Sequence, residues 1–570
     1  MAADKPQGLR RNLTSTGDRD FALYLRRSFA RSMGYSQDLL DRPIVGIAQS
    51  GSGFNNCHRL MPELVEAVKR GVLAAGGLPI DFPTISLGEL FLSPTSLMFR
   101  NLMAMDVEEM IRAQPMDAVV LIGGCDKTVP AQLMGALSAD LPAIALVTGP
   151  MLAQPFQGER LGACTDCRRF WARYRAGALD AAGIDAVEGQ LATTAGTCAV
   201  MGTASTMACL VETLGFALPD SAAVPAVHAD RLRVAEASGR RAVALALAGG
   251  PRPSELVTPA SVENALRLLM AIGGSTNAVL HLTAIAGRRG IPLSLRRLNE
   301  ISDETPVLVN LKPTGEHYMQ DLHAAGGLRA VLWELRGSLN LDCPTVEGTT
   351  LGQRLAQPLA WVDRAVVRPR ERPVDAVGGL CALFGNLAPR GALLKRSAAQ
   401  PALFEREGRA VVFTSLDDLA ARIDDPALDV AADDFLVLQH AGPASAAAMP
   451  EAGYLPIPRK LAKAGVTDMV RISDARMSGT AYGTVILHVT PDAASGGPLA
   501  LVRTGDRVRL SVRGRALDLL VDDAELARRR ATVAPPPRPA RGYARLYAEQ
   551  ITQADLGCDF EFLRASSGTP

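Results

Sequence analysis

The apolar run Ala118-Val119-Val120-Leu121-Ile122 constrains this chain more than any other segment. An apolar run of this length bounded by turn residues reads as a buried strand. It stops at Gly123-Gly124, where backbone can approach a neighbour closely and then turn. Cys125, Asp126 and Lys127 follow at once, placing a thiol, a carboxylate and an amine in three residues. Thiolate suits iron or zinc, and carboxylate suits magnesium or manganese. The pentapeptide therefore reads as a point where two inorganic centres face one pocket. It reads equally as an ordinary strand-to-helix turn with a buried thiol and a surface Asp–Lys pair.

The flanking sequence repeats the same rhythm. Strands are predicted at Ile44–Ala48, Thr84–Leu87, Ala118–Ile122 and Ala143–Val147, and helices at Leu60–Ala75, Pro94–Ala113 and Pro130–Ala139. Such alternation predicts an α/β domain with a parallel sheet over residues 41–370. Ligands in such sheets sit beyond the carboxyl ends of the strands, where Cys57, Glu89 and Cys125 fall. Residues 1–40 form an Arg-rich arm expected to pack on the body or on a neighbour. Thr193–Cys198, rich in hydroxyls, precedes a helical pattern and suits either an anion site or an ordinary N-cap. Val362–Pro373 reads as a linker. Beyond it Arg507–Val512 alternates strictly between turns, predicting a β-rich, barrel-like domain over residues 376–570 with an extended connection at Pro535–Pro537. Arg528-Arg529-Arg530 reads as a solvated helix end.

Composition narrows the function. Of 570 residues 48% are hydrophobic and 21% charged, the profile of a globular enzyme. A net charge of +1 gives no electrostatic case for nucleic acid or an acidic membrane. No apolar stretch approaches the roughly 20 residues of a membrane span, and the N-terminus has no signal-peptide core. Nine cysteines, an odd and sparse set, argue against a disulfide framework and for a reducing, cytoplasmic setting. HExxH, Walker A, nucleophile-elbow and strand-following GxGxxG patterns are all missing, which weakens hydrolase, kinase and dehydrogenase readings. The CxxC at Cys164–Cys167 has no second CxxC or His pair to complete a zinc site, so a structural role is preferred. Cys57, Cys125 and Cys198 lie in loops rich in Gly, Ser, Thr and Asn. Three thiolates on an iron cluster would leave one iron position open for Lewis-acid chemistry.

The ordered motifs Phe82–Glu89, Arg100–Asp106, Gly123–Thr128, Thr194–Cys198 with Met201–Thr206, Gly273–Asn277, Ala441–Pro443, Met449–Glu451 and Ile472–Thr480 resemble the dihydroxy-acid dehydratase / phosphogluconate dehydratase family. The resemblance spans roughly residues 40–560. Glu89 and the tail Gln553–Phe562 look most like the sugar-acid (aldonate) branch. The resemblance implies an iron–sulfur cluster, [2Fe-2S] with [4Fe-4S] as the alternative, on Cys57, Cys125 and Cys198. It also implies Mg²⁺ at Glu89, Asp126 and Glu451, with Lys127 carbamylated as a further ligand. Ser478 aligns with the family's base, and Thr480 with a group that holds its oxyanion or orients substrate. The implied reaction is β-elimination of water from an aldonate, giving a 2-keto-3-deoxy acid, in an active site between the two domains of a homodimer or homotetramer. The rival readings are a dihydroxy-acid dehydratase of branched-chain amino-acid synthesis and a non-catalytic Fe–S sensor. Departures from the family pattern are Ala444–Ala448, where a basic, glycine-containing loop is usual, Arg390, where Asp is common, and Phe54-Asn55-Asn56 before Cys57.

Overall fold

The computed structural model describes residues 7–13, 17–533, 537 and 539–565. Pro535 and Pro536 of the expected extended connection lie outside the described residues. Strands β1 (Ile44–Gln49), β2 (Leu78–Pro83), β3 (Ala118–Gly123) and β4 (Ala143–Val147) form a parallel sheet ordered β2-β1-β3-β4. Parallel neighbours need crossover connections, and α2 (Met61–Ala74), α3 (Ser96–Ala113) and α4 (Thr128–Ala139) supply them. Every residue of β3 is buried, which explains its unbroken apolar run. The arm folds as α1 (Arg19–Ser32), and its start is tied to the body where Gly8 donates to the Asp117 carboxylate at 3.0 Å.

One strand lies elsewhere than expected. Thr84–Leu87 is irregular, and the strand is the preceding β2. Its prolines, Pro79 and Pro83, obscured it in the pattern, but β2 is an edge strand, where a missing N–H is tolerated. The 362–373 segment is no free linker either. Val366 and Val367 are buried, and Asn310 and Arg368 exchange backbone bonds across it with Val366 and Leu308.

A hairpin, β5 (Gln154–Phe156) and β6 (Glu159–Leu161), leads to α5 (Thr165–Arg175) and α6 (Ala181–Glu188). Helices α7 (Thr203–Thr213), α8 (Ala229–Ala248), α9 (Pro253–Leu256), α10 (Pro259–Ala271) and α11 (Thr276–Gly287) follow. The second sheet has eight strands: β7 (Cys381–Leu383), β8 (Gly391–Leu394), β9 (Glu405–Phe413), β10 (Phe435–Leu438), β11 (Arg471–Ser473), β12 (Val485–Thr490), β13 (Arg507–Ser511) and β14 (Ala516–Leu519). Their order is β14-β13-β9-β10-β11-β12-β8-β7. It is mixed, with β9 to β12 parallel and the outer pairs antiparallel. A single bridge between Phe384 and Ala516 draws the two edges together, so the sheet is close to a closed barrel.

Beyond Gly542 the chain leaves this barrel. Arg100 on α3 donates to the carbonyls of Gly557 and Cys558, and Arg288 after α11 pairs with Asp559 at 2.6 Å. Arg529 of the supposed solvated run is buried, paired with Asp506 and Glu525.

Candidate active site

The turn after β3 is built by close packing. A Cβ on Gly124 would overlap the Thr148 hydroxyl, and one on Gly123 would overlap the Gln132 amide. Glycine is thus required at both positions, and Cys125-Asp126-Lys127 is held rigidly at the carboxyl end of β3. His58 fixes it further. Its Nε2 accepts the amides of Gly124 and Cys125 at 3.0 and 3.2 Å, and its Nδ1 donates to the Ser50 carbonyl at 2.8 Å. Burial pushes His58 down to about 4, so the ring is neutral at pH 7 and suited to accepting.

Three carboxylates meet here. Oxygens of Glu89, Asp126 and Glu451 lie within 4.8 Å of one another. Lys127, wholly buried, contacts Asp126 and lies 3.4 Å from Glu89. Arg476, also wholly buried, bridges Glu89 and Glu451 at 2.7 Å each, and donates to Thr95 Oγ1 at 2.7 Å and the Met449 carbonyl at 2.9 Å. Burial pushes the Glu89 carboxyl up, but Arg476 and Lys127 outweigh it and hold it well below the usual range. For Glu451 burial wins, reinforced by the Glu89 charge, and its carboxyl is raised. The Glu89 loop is held from below, because Asp106 on α3 accepts the Ile85 amide at 2.9 Å.

The thiols make two contacts. Cys57 and Cys125 hydrogen-bond to each other, and that bond together with burial pushes the Cys57 thiol up. Cys198 Sγ lies 3.2 Å from Cys164 Sγ. Cys167 donates to the Cys164 carbonyl at 2.5 Å, so the CxxC is packed against a predicted cluster ligand.

One segment of the second domain joins the carboxylates to the Cys198 loop. Two residues after Arg476, the Ser478 hydroxyl lies 2.8 Å from Thr480 Oγ1. Asn277 donates to the Met477 carbonyl at 3.1 Å, and Thr165 Oγ1 donates to the Thr480 carbonyl at 2.9 Å. A Cβ on Gly479 would come within 2.6 Å of Ser275 and 2.8 Å of the Thr203 amide. A Cβ on Gly202 would be 2.7 Å from Thr480 Cγ2 and 3.9 Å from Cys198 Cβ. Segment 476–480 is therefore clamped on the N-termini of α7 and α11, touching the carboxylates at one end and the Cys198 loop at the other. A cavity of about 920 Å³ lies between α5, α6 and the second domain, lined among others by Cys167, Arg168, Trp171, Tyr454 and Tyr482.

All nine residues singled out from the sequence lie along this path. Sequence reasoning assigned no role to Arg476, His58, Thr95 or Lys395, whose ammonium reaches the Gly479 carbonyl at 3.0 Å. The signal for Arg476 was present, two positions before Ser478, but its Glu89 partner is 387 positions away. Two departures gain a reason. Arg390 makes a two-bonded pair with Asp555 of the tail at 2.7 and 2.8 Å, and Asn55 is buried, reaching Ser86 Oγ at 3.2 Å. A second grouping of possible ligands, His228, Asp230 and His323, sits at the N-terminus of α8. Asp230 is already paired with Arg233, and the helix end is itself positive, so a cation is disfavoured there.

Fold and site together define a two-domain protein in which a carboxylate cluster and a thiol-bearing loop meet at one segment. The profile described as "Dihydroxy-acid/6-phosphogluconate dehydratase N-terminal" matches residues 42–354, and its C-terminal counterpart matches residues 365–558. The chain belongs to this family of hydro-lyases. It is 47% identical to an L-arabonate dehydratase of Azospirillum brasilense, covering 100% of this chain and 99% of that one. It is 44% identical to a 6-deoxy-6-sulfo-D-gluconate dehydratase of Pseudomonas putida, covering 94% and 93%. To a dihydroxy-acid dehydratase of Nitratidesulfovibrio vulgaris it is 39% identical, covering 93% and 96%.

Proposed function

We infer that this hydro-lyase converts an aldonate of five or six carbons to its 2-keto-3-deoxy acid, using a [2Fe-2S] cluster and Mg²⁺. The observation that carries the reading is the Arg476–Thr480 segment, which joins the three carboxylates to the Cys198 loop around one serine.

The donor sets fit both groups. Carboxylate oxygens are the ligands Mg²⁺ prefers. Carbamylation of Lys127 would replace a cation by an anion, and a divalent ion returns those two charges. Cys57, Cys125 and Cys198 would hold the cluster, thiolates being the ligands that iron–sulfur clusters take. When bound, the metal centres supply Lewis acidity toward the substrate carboxylate, 2-hydroxyl and departing 3-hydroxyl.

The chain's own groups supply the rest. Ser478 Oγ takes the C2 proton, the C2–H electrons form the C2–C3 double bond, and the C3–O bond breaks with loss of hydroxide. Thr480, 2.8 Å away, donates to the Ser478 oxygen while it is negative. The enol product then tautomerises to the keto acid. Higher identity to the arabonate dehydratase than to the dihydroxy-acid dehydratase supports a polyhydroxy substrate. Exposed Tyr24 and Phe29 on α1, with Met33 just after it, suit burial by a second copy, in a homodimer or homotetramer.

The test is anaerobic purification, iron and sulfide analysis, and an assay of 2-keto acid formation over C5–C6 aldonates and 2,3-dihydroxyisovalerate with Mg²⁺. Turnover confined to aldonates, lost in Ser478→Ala with the visible spectrum retained, is the expected result. Preference for dihydroxyisovalerate, or a spectrum without turnover on any acid, overturns the reading.

A further inference from the structure

Lys395 leaves the end of β8 and is wholly buried. An ammonium carries three donors, yet its hydrogen-bond partner is the Gly479 carbonyl at 3.0 Å, and among the described residues no carboxylate pairs with it. The charged groups around it are turned elsewhere. Arg396, next in the chain, donates to the Gly378 carbonyl and Ser302. Arg471 on β11 closes on Asp468, and His488 on β12 is held neutral by burial. Burial alone pushes Lys395 down to about 7. The placement is firm, because the Gly483 amide donates to the Ala398 carbonyl at 2.7 Å and the Gln400 amide to Thr484 Oγ1 at 3.1 Å.

A buried ammonium without a counter-charge is costly. This one sits a single residue from Ser478, whose role calls for negative charge on a hydroxyl that is a poor acid by itself. Each group supplies what the other lacks. We propose that Lys395 is a positioning residue for the elimination: its ammonium, held on the Gly479 carbonyl, stabilises negative charge on Ser478 as that side chain takes the C2 proton. The proposal rests on the assignment of Ser478 as the base. It accounts for a cation whose contact is to main chain, which no side chain at position 479 could replace.

The test compares Lys395→Met, Lys395→Gln and Lys395→Arg with wild type and Ser478→Ala, all as holoenzyme. Each is assayed with C2-protiated and C2-deuterated aldonate across about pH 6 to 9. The Met and Gln variants are expected to keep the iron content, visible spectrum and, within about 3-fold, the KM. Their kcat falls about 10- to 100-fold, below the loss for a donor in direct contact with an oxyanion. The C2-deuterium isotope effect grows, because proton abstraction has become the slow step, and Lys395→Arg recovers the larger part of kcat. In wild type, kcat rises to a plateau as the Lys–Ser pair loses one proton near pH 7, whereas the Met and Gln variants keep rising without one. Wild-type kcat, isotope effect and pH profile in both neutral variants would overturn the proposal, as would a loss confined to KM or to iron content. Should Ser478→Ala itself turn over, the base assignment falls and takes this inference with it. Should Ser478→Ala be inactive and Lys395→Met unaffected, this inference alone falls.

Discussion

Arg476→Met isolates the electrostatics of the carboxylate site. The wild-type side chain is wholly buried and holds Glu89 and Glu451 at 2.7 Å each. The methionine fills the space but leaves three carboxylates, with oxygens inside 4.8 Å, to Lys127 alone. Removing one partner from a buried ion pair costs about 3–5 kcal/mol. Both acids retain part of their exposure to solvent, so the lower end applies, about 3 kcal/mol in metal-free protein. Two conditions should relieve it. Lower pH protonates Glu451, whose carboxyl is already raised by burial, so the deficit against wild type shrinks as pH falls. Mg²⁺ replaces the lost positive charge. A ligand at about 100 times its Kd stabilises by about 2.7 kcal/mol, enough to return most of the loss. Thermal unfolding with EDTA and then with Mg²⁺ measures both terms. The variant should melt well below wild type in EDTA and gain more from Mg²⁺ than wild type does. Equal melting in EDTA, or an equal Mg²⁺ gain in the two proteins, would refute the charge argument.

Gly479→Ala places a methyl 2.6 Å from Ser275 and 2.8 Å from the Thr203 amide, so Ser478 must shift. Displacement of about 1 Å can cost 100-fold, and kcat should fall by about that factor with iron content unchanged; unaltered kcat would show that the clamp does not set the serine. Cys198→Ser should lose iron and visible absorption while Cys164→Ser keeps both; the reverse would move the ligand to the neighbouring thiol 3.2 Å away. His488 is pushed down to about 3, first by burial and then by Arg476, and its Nε2 is buried without a hydrogen-bond partner among the described residues. The unfolded imidazole takes a proton near 6.5 and the native one does not, so stability falls as pH drops below about 6.5, by about 2 kcal/mol at pH 5. His488→Asn, which tolerates the left-handed backbone there (φ 57°), should reduce by that amount the stability lost in urea between about pH 7 and 5. An equal loss in both proteins would exclude His488 as the source.

The parallel sheet was legible because β1, β3 and β4 are buried apolar runs bounded by turn residues. β2 was misplaced because its prolines are acceptable only at an edge, and edge position is a property of the assembled sheet. Cys125, Asp126 and Lys127 announced themselves by their chemistry after two glycines. Arg476 and Lys395 did not, since an arginine or lysine in a sequence is by default a surface residue. What makes these two unusual is burial, and burial here arises from packing between segments far apart in the chain. Cys164 shows the converse case. Its CxxC was visible and its ligand count argued for a structural role, but its contact with Cys198 comes from α5 docking beside the Thr194–Cys198 loop.

The charges explain why the barrel domain is needed for more than its serine. The sheet domain alone would set Glu89 and Asp126 against a single ammonium, Lys127. Docking of the second domain adds another carboxylate, Glu451, together with the cation that makes it tolerable, Arg476, and that arginine grips acids from both domains. Glu451 therefore enters already paired, and three anions can stand together before any metal arrives. The same segment carries Ser478 onto the helix N-termini where Ser275 and Thr203 lie. The three-carboxylate cluster is thus completed by the same segment that positions Ser478, and neither would exist without the packing of the two domains.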